Sequence, residues 1–139
     1  MALRDELKRI DLFAALPDSA LDDLIQSGTR FRLSPGKRIV QQGAADVGFQ
    51  ILRSGSAAVT VNDVDRGTIG AGDFFGEISL FDPDGRRSAT IIAGPDGAET
   101  FAISALTFSS IMDKHPQIAR ALLPVLVRRI HAAEAAQQA

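Results

Sequence analysis

The stretch FGEISLFDPDGRRSAT, Phe75–Thr90, decides how this chain is read. It sets a carboxylate, Glu77, directly after Gly76 inside an apolar run, and brings in Arg87 ten residues later, ahead of the small residues Ser88 and Ala89. The apolar set Phe75, Ile78, Leu80 and Phe81 suits one short helical turn. The first backbone N–H groups of such a turn have no partner within it and make an anion site. Arg87 beside them would add a guanidinium, which grips phosphate through paired, charge-assisted hydrogen bonds. Glu77 repels phosphate but accepts well from a hydroxyl such as a ribose 2′-OH. The two charges therefore suit two parts of one nucleotide. The alternative is a Glu77–Arg87 ion pair across a loop, a common arrangement that contributes little.

Outward from this stretch the hydrophobic period changes twice. Leu3, Leu7 and Ile10 recur at helical spacing, and a second helical pattern after Pro17 carries Leu21, Leu24 and Ile25 until Gly28. From Thr29 the runs TRFRL, RIVQ, FQILR, AAVTVN, GTIG, SATIIA and TFAI are short, β-branched and separated by turn residues, which predicts seven or eight short strands in a barrel or sandwich. Phe31 and Leu33 alternate with Arg30 and Arg32, as in a strand with one wet face. Helical spacing returns after Ser104, a candidate N-cap, and again after Pro116 with Ile118, Leu122, Val125, Leu126 and Ile130. Pro124 predicts a kink or break in that last helix.

Bulk composition narrows the function classes. At 139 residues the chain is long enough for one domain that buries roughly two-thirds of its unfolded surface. A net charge of −2 offers no electrostatic footprint for nucleic acid or anionic membrane, so direct DNA binding is not expected. The absence of cysteine removes disulfides, thiol nucleophiles and thiolate metal sites, and fits a cytoplasmic protein. No apolar run approaches the roughly 20 residues of a membrane span, and the charged start is not a signal peptide. The only histidines, His115 and His131, fall in the terminal helices, away from any strand pocket. A metal site of the cupin kind and a Ser–His–acid arrangement are therefore both disfavoured, and no enzyme activity is expected.

FGE, ISL, a short DPDG loop and RSAT together resemble the phosphate-binding cassette of the cyclic-nucleotide-binding domain family, whose members include cAMP receptor proteins, kinase regulatory subunits and bacterial channel modules. IVQQG, FQILRSG and IGAGDFFGE resemble the segments that precede that cassette, and the likeness runs from about Phe13 to Arg129. It departs at QQGAADVG, where the usual Gly-Asp pair is missing and Asp46 is displaced. The resemblance implies a mainly β fold with flanking helices: an eight-stranded, jelly-roll-like β-roll with N-terminal helices and C-terminal lid helices. One domain would fill 1–139, helical over 1–28, a roll over 29–103 with its cassette at 75–90, and helical again over 104–135.

The resemblance also assigns roles. Glu77 would accept from the ribose 2′-OH, and Arg87 would pair with the exocyclic phosphate oxygens. Backbone N–H groups of Gly76, Ile78 and Ser79 would reach the ligand, Ser88 would sit beside phosphate and base, and Phe75 and Ala89 complete the cassette's contribution. Family members cover the base from the last helix, often with an aromatic, but no aromatic follows Phe108 here. The lid would then be Leu122, Leu123, Leu126 or Arg129, the arginine stacking on the base. Ser88 stands where Ala accompanies cAMP and Thr accompanies cGMP. The expected ligand is cAMP, with cGMP as the alternative, and no cofactor or metal is implied. The expected function is a cyclic-nucleotide sensor whose C-terminal helix moves with the ligand, reporting to an effector domain or partner protein. A nucleotide-independent interaction domain of the same fold is the competing expectation, disfavoured by the presence of both Glu77 and Arg87.

Overall fold

The computed structural model describes residues 2–44, 48–81 and 86–138; Asp46 and the DPDG loop at 82–85 lie outside the described residues. Two compact units emerge, Ser27–Phe108 and a helical unit made of Met1–Gln26 with Ser109–Ala139.

Ser27–Phe108 is built on an antiparallel sheet of six strands: β1 Thr29–Leu33, β2 Arg38–Val40, β3 Gly48–Val61, β4 Val64–Gly70, β5 Phe74–Phe75 and β6 Thr90–Ser104. The central pair is β3 with β6, joined from Gly48↔Ser104 to Thr60↔Thr90. Each long strand then takes partners on its other edge at different heights. β6 pairs with β1 through Ala98–Ala102 and with β2 through Ile91 and Ile92, while β3 pairs with β5 and with β4. Two long bent strands carrying short partners on both outer edges make the expected β-roll.

Among the described residues six strands stand where eight were expected, and the reason is local. FQILR and AAVTV belong to one strand, β3, and TIIA and TFAI to another, β6. The register shifts between Leu52 and Ser54 and between Gly55 and Ala57, so the turn signals there mark bulges that bend a continuous strand. Gly55 has φ +82, and a Cβ on it would lie 2.1 Å from the Gly97 carbonyl oxygen of the opposing strand. Glycine at this position allows the two strands to bend together. The β3–β4 hairpin closes at Asn62 and Asp63, both with positive φ, as a two-residue turn between paired strands requires.

Apolar side chains fill the roll. Leu52, Ala93 and Ala98 form one buried cluster with Leu33, Ile39 and Ile69 against it, and Val40, Ala57 and Ile91 form a second that takes in Val59 and Phe75. Phe49, Ile51, Phe101, Ile103 and Phe108 are almost completely buried as well. β1 departs from the expected half-buried pattern: four of its five residues are exposed, Phe31 among them.

The helical unit draws on α1 Leu3–Lys8, α2 Asp11–Ala14, α3 Asp18–Ser27, α4 Ala105–Lys114 and α5 Gln117–Gln138. Leu3, Leu7 and Ile10 are buried at the predicted spacing, as are Leu21, Leu24 and Ile118. Ser104 is the N-cap of α4, its Oγ accepting from the Thr107 N–H at 3.0 Å. A kink or break was expected at Pro124; α5 runs through it unbroken. Pro124 and Arg120 are both exposed, so the Arg120 carbonyl that loses its partner can be hydrated, which lowers the cost of the proline. Among the described residues no helix is long and apolar enough to cross a membrane.

Candidate functional site

Phe75 ends β5, Gly76 follows with φ +80, and Glu77–Leu80 form one 3-10 turn, the short helical turn expected of this stretch. Backbone N–H groups at the start of such a turn point out of it. Glu77 opens the turn and is half-buried, and Ile78 and Ser79 contribute backbone to it. Asp73 sets the approach: its carboxylate accepts from the Gly70 N–H at 2.8 Å, and its carbonyl accepts from Leu52 N–H at 2.8 Å.

Arg87, seven residues after the turn ends at Leu80, comes back to it. It is 7% exposed, a buried guanidinium in a unit whose interior is mostly apolar, with Gln50 and Thr100 the other buried polar side chains among the described residues. Its Nη2 donates to the Gly48 carbonyl at 2.7 Å, and its guanidinium carbon lies 5.7 Å from the centre of the Phe75 ring. A Cβ on Gly76 would fall 2.3 Å from Arg87 Nη1 and 2.2 Å from the Gly48 oxygen. Only a residue without a side chain lets the guanidinium pack onto the backbone at the head of the turn. The structure thus brings Phe75, Gly76 and Arg87 together. Ser88 is exposed and Ala89 half-buried, both in the bend between Arg87 and β6.

The backbone of Arg87 is held from both sides by the segment that follows β2. Gly43 N–H donates to the Arg87 carbonyl at 2.8 Å, and Arg87 N–H donates to the Ala44 carbonyl at 2.9 Å. Gln42 extends the clamp, its N–H donating to Thr90 Oγ1 at 3.0 Å while its side chain exchanges two hydrogen bonds with Asn62 in the β3–β4 turn. IVQQGA is therefore the segment that positions the arginine. Its local sequence, a short strand run followed by Gly43, names no partner so far along the chain.

Arg129, the predicted arginine lid, is on α5 and pairs with Asp11 of α2, donating from Nη2 to Oδ1 and from Nε to Oδ2 at 3.5 Å. That contact holds the Asp11 carboxyl below its ordinary range, the Arg129 hydrogen bond being the main cause. Of the predicted aliphatic lid residues, Leu122 is buried, Leu123 is exposed and Leu126 is half-buried. Among the described residues no group of three His, Asp or Glu side chains is arranged to hold a metal ion.

With this geometry established, comparison places the chain in a family. Residues 30–115 match the cyclic nucleotide-binding domain family, and the chain belongs to it. It is 31% identical over 108 residues to the Pycsar effector protein PaPycTIR of Pseudomonas aeruginosa, covering 78% of this chain and 35% of that protein. It is 27% identical over 113 residues to a cGMP-dependent protein kinase of Toxoplasma gondii, covering 81% and 11%. The chain thus spans about a third or less of these curated relatives. The crystal structure of the N-terminal domain of a transcriptional regulator from Streptomyces coelicolor A3(2) superposes with a TM-score of 0.83 at 27% identity, over 93% of this chain and 94% of that one. The chain is a regulatory domain of the cyclic nucleotide-binding class.

Proposed function

We propose that this domain is a cAMP sensor. The observation that carries the reading is the buried Arg87 guanidinium, packed on Gly76 at the head of the Glu77–Leu80 turn. A cation held there beside backbone donors suits one anionic group, the cyclic phosphate, through charge-assisted hydrogen bonds. Glu77 takes the ribose 2′-OH, Ile78 and Ser79 supply backbone N–H groups, and Ser88 and Ala89 lie along the phosphate and base. Ser88, as small as Ala but with the hydroxyl of Thr, leaves the base preference open; the reading takes cAMP as the ligand, with cGMP as the alternative. Arg129 or the aliphatic face of α5 is the candidate lid, and ligand binding repositions that helix. A ligand shifts such an equilibrium only by the difference between its affinities for the two states, so the helix must hold two arrangements of similar free energy. The output passes to an effector domain or a partner protein, and the domain itself carries out no catalysis.

Calorimetric titration with cAMP and with cGMP tests the reading. Saturable one-site binding, tighter for cAMP, is expected. Silence from both ligands up to about 1 mM, where binding would be worth roughly 4 kcal/mol, would leave the nucleotide-independent interaction domain in its place.

A further inference from the structure

α5 is apolar on two sides. Ile118, Leu122 and Val125 are buried along one of them. Leu123, Val127 and Ile130 are 60%, 48% and 56% exposed along the other. Single apolar residues at a surface are ordinary, but these three follow one another at steps of four and three, which keeps them on one face of a helix. The half-buried Leu126 and Arg129, candidates for the lid, lie outside this stripe.

The two ends of the stripe carry opposite charges. The same spacing continues to Arg120, three residues before Leu123, and to Glu134, four residues after Ile130, and both are exposed. Arg120, Leu123, Val127, Ile130 and Glu134 thus alternate steps of three and four, the spacing of a seam between two helices. Arg120 and Glu134 stand seven residues to either side of Val127. The seam therefore has a cation at one end, a carboxylate at the other and Val127 at its midpoint.

From this order we infer that the outer face of α5 binds α5 of a second copy of the chain, antiparallel and crossing at Val127. In that arrangement Arg120 of each copy faces Glu134 of the other, and Leu123 of each copy lies near Ile130 of the other. A parallel pair would set Arg120 against Arg120 and Glu134 against Glu134, and like charges opposed across an interface cost affinity. A partner of different sequence would need the reversed charge order at the same interval, which a two-fold axis supplies at once from this chain. One helix pair falls short of the roughly 1,600 Å² of a standard interface, so the dissociation constant is expected on the order of 10–100 µM. The pairing does not depend on nucleotide binding.

Sedimentation velocity of the full chain without nucleotide, from about 10 to 500 µM, is the test, the range being set by that affinity. A monomer–dimer equilibrium is expected, and Val127→Glu, at an exposed helix position, should leave only monomer. Arg120→Glu places two like-charged pairs across the axis and should weaken the dimer about tenfold, and the double variant Arg120→Glu/Glu134→Arg should restore it. The chain has no cysteine, so crosslinking reports the orientation cleanly. Arg120→Cys mixed with Glu134→Cys under oxidation should give the mixed disulfide, and Arg120→Cys alone should give little product. The inference is overturned if the chain stays monomeric throughout, which would leave the face to a different protein, or if the dimer survives Val127→Glu. Self-crosslinking of Arg120→Cys in preference to the mixed product, or a dimer that Arg120→Glu leaves unchanged, would overturn the antiparallel pairing.

Discussion

The roll and the helical unit handle charge in opposite ways. Arg87 is the one charged side chain buried among the described residues, and it lies in the roll, fixed through backbone by Gly43 and Ala44 and through its guanidinium by Gly48. In the helical unit the charges sit near the surface and tie helix to helix. Arg4 pairs with Asp22, Lys8 with Asp18 at 3.0 Å, Asp23 with His115 at 2.8 Å and Lys114 at 3.2 Å, and Asp11 with Arg129. A buried cation costs desolvation that packing alone does not require, which suits a site built for an anion. Exposed ion pairs each contribute little and are easily exchanged, which suits a segment with more than one arrangement. The contrast fits the proposed division, with recognition in the roll and adjustment in the helices.

The sharpest way to break that assignment is Arg87→Met. If the guanidinium serves the ligand, cAMP affinity should fall by about 2–5 kcal/mol, the usual loss when one partner of a buried charge pair is removed. The stability of the ligand-free chain should hold or rise, because a buried charge replaced by an apolar side chain of similar volume is often neutral or stabilising. Calorimetry and thermal melting separate the two effects. A steep fall in melting temperature with little change in affinity would make Arg87 a structural residue.

Gly76→Ala probes the same contact from the backbone side. The new Cβ would collide with Arg87 Nη1 and the Gly48 oxygen, at a φ that L residues rarely adopt. About 1–3 kcal/mol of stability should be lost in urea denaturation. Gly70→Ala is the control, since a Cβ there meets nothing within 4 Å and its φ is not positive. Equal effects at the two glycines would show that the close packing of Arg87 on the turn contributes nothing.

How much of this was legible depended on how local the cause is. The short turn at Glu77–Leu80 could be anticipated because its signals lie in one continuous string. The Ser104 cap and the helix starting after Pro17 are equally local, each depending on a residue and its neighbours within a turn. The strand count was not legible, because a glycine that bends a strand and one that reverses the chain look alike until its partner strand is known. Gly55 bends against Gly97, far along the chain. The grip of Gly43 and Ala44 on Arg87 was hidden for the same reason. Phe31 reads as a buried residue by its alternation with Arg30 and Arg32, yet it is 47% exposed, because alternation alone does not say what covers a strand face.

The smallest expected effect tests the other half of the comparison. Asp11, Asp18 and Asp23 each have a carboxyl held below the ordinary value of 3.8, chiefly by hydrogen bonds from Arg129, Lys8 and His115 respectively, with Lys114 adding to the last. A carboxyl whose folded value is depressed binds fewer protons in the folded state, so its contribution is complete above the unfolded value and drains away as pH falls through the folded one. The helical unit should therefore loosen below about pH 4, and added salt should loosen it slightly at neutral pH by screening the same pairs. Replacing all three aspartates by asparagine should flatten the melting temperature between about pH 5 and pH 3, while Arg87→Met, which leaves the helical pairs intact, should keep the wild-type slope. If the triple variant keeps the full acid dependence, the surface pairs are not what holds the helices, and the division between a fixed roll and adjustable helices needs another cause.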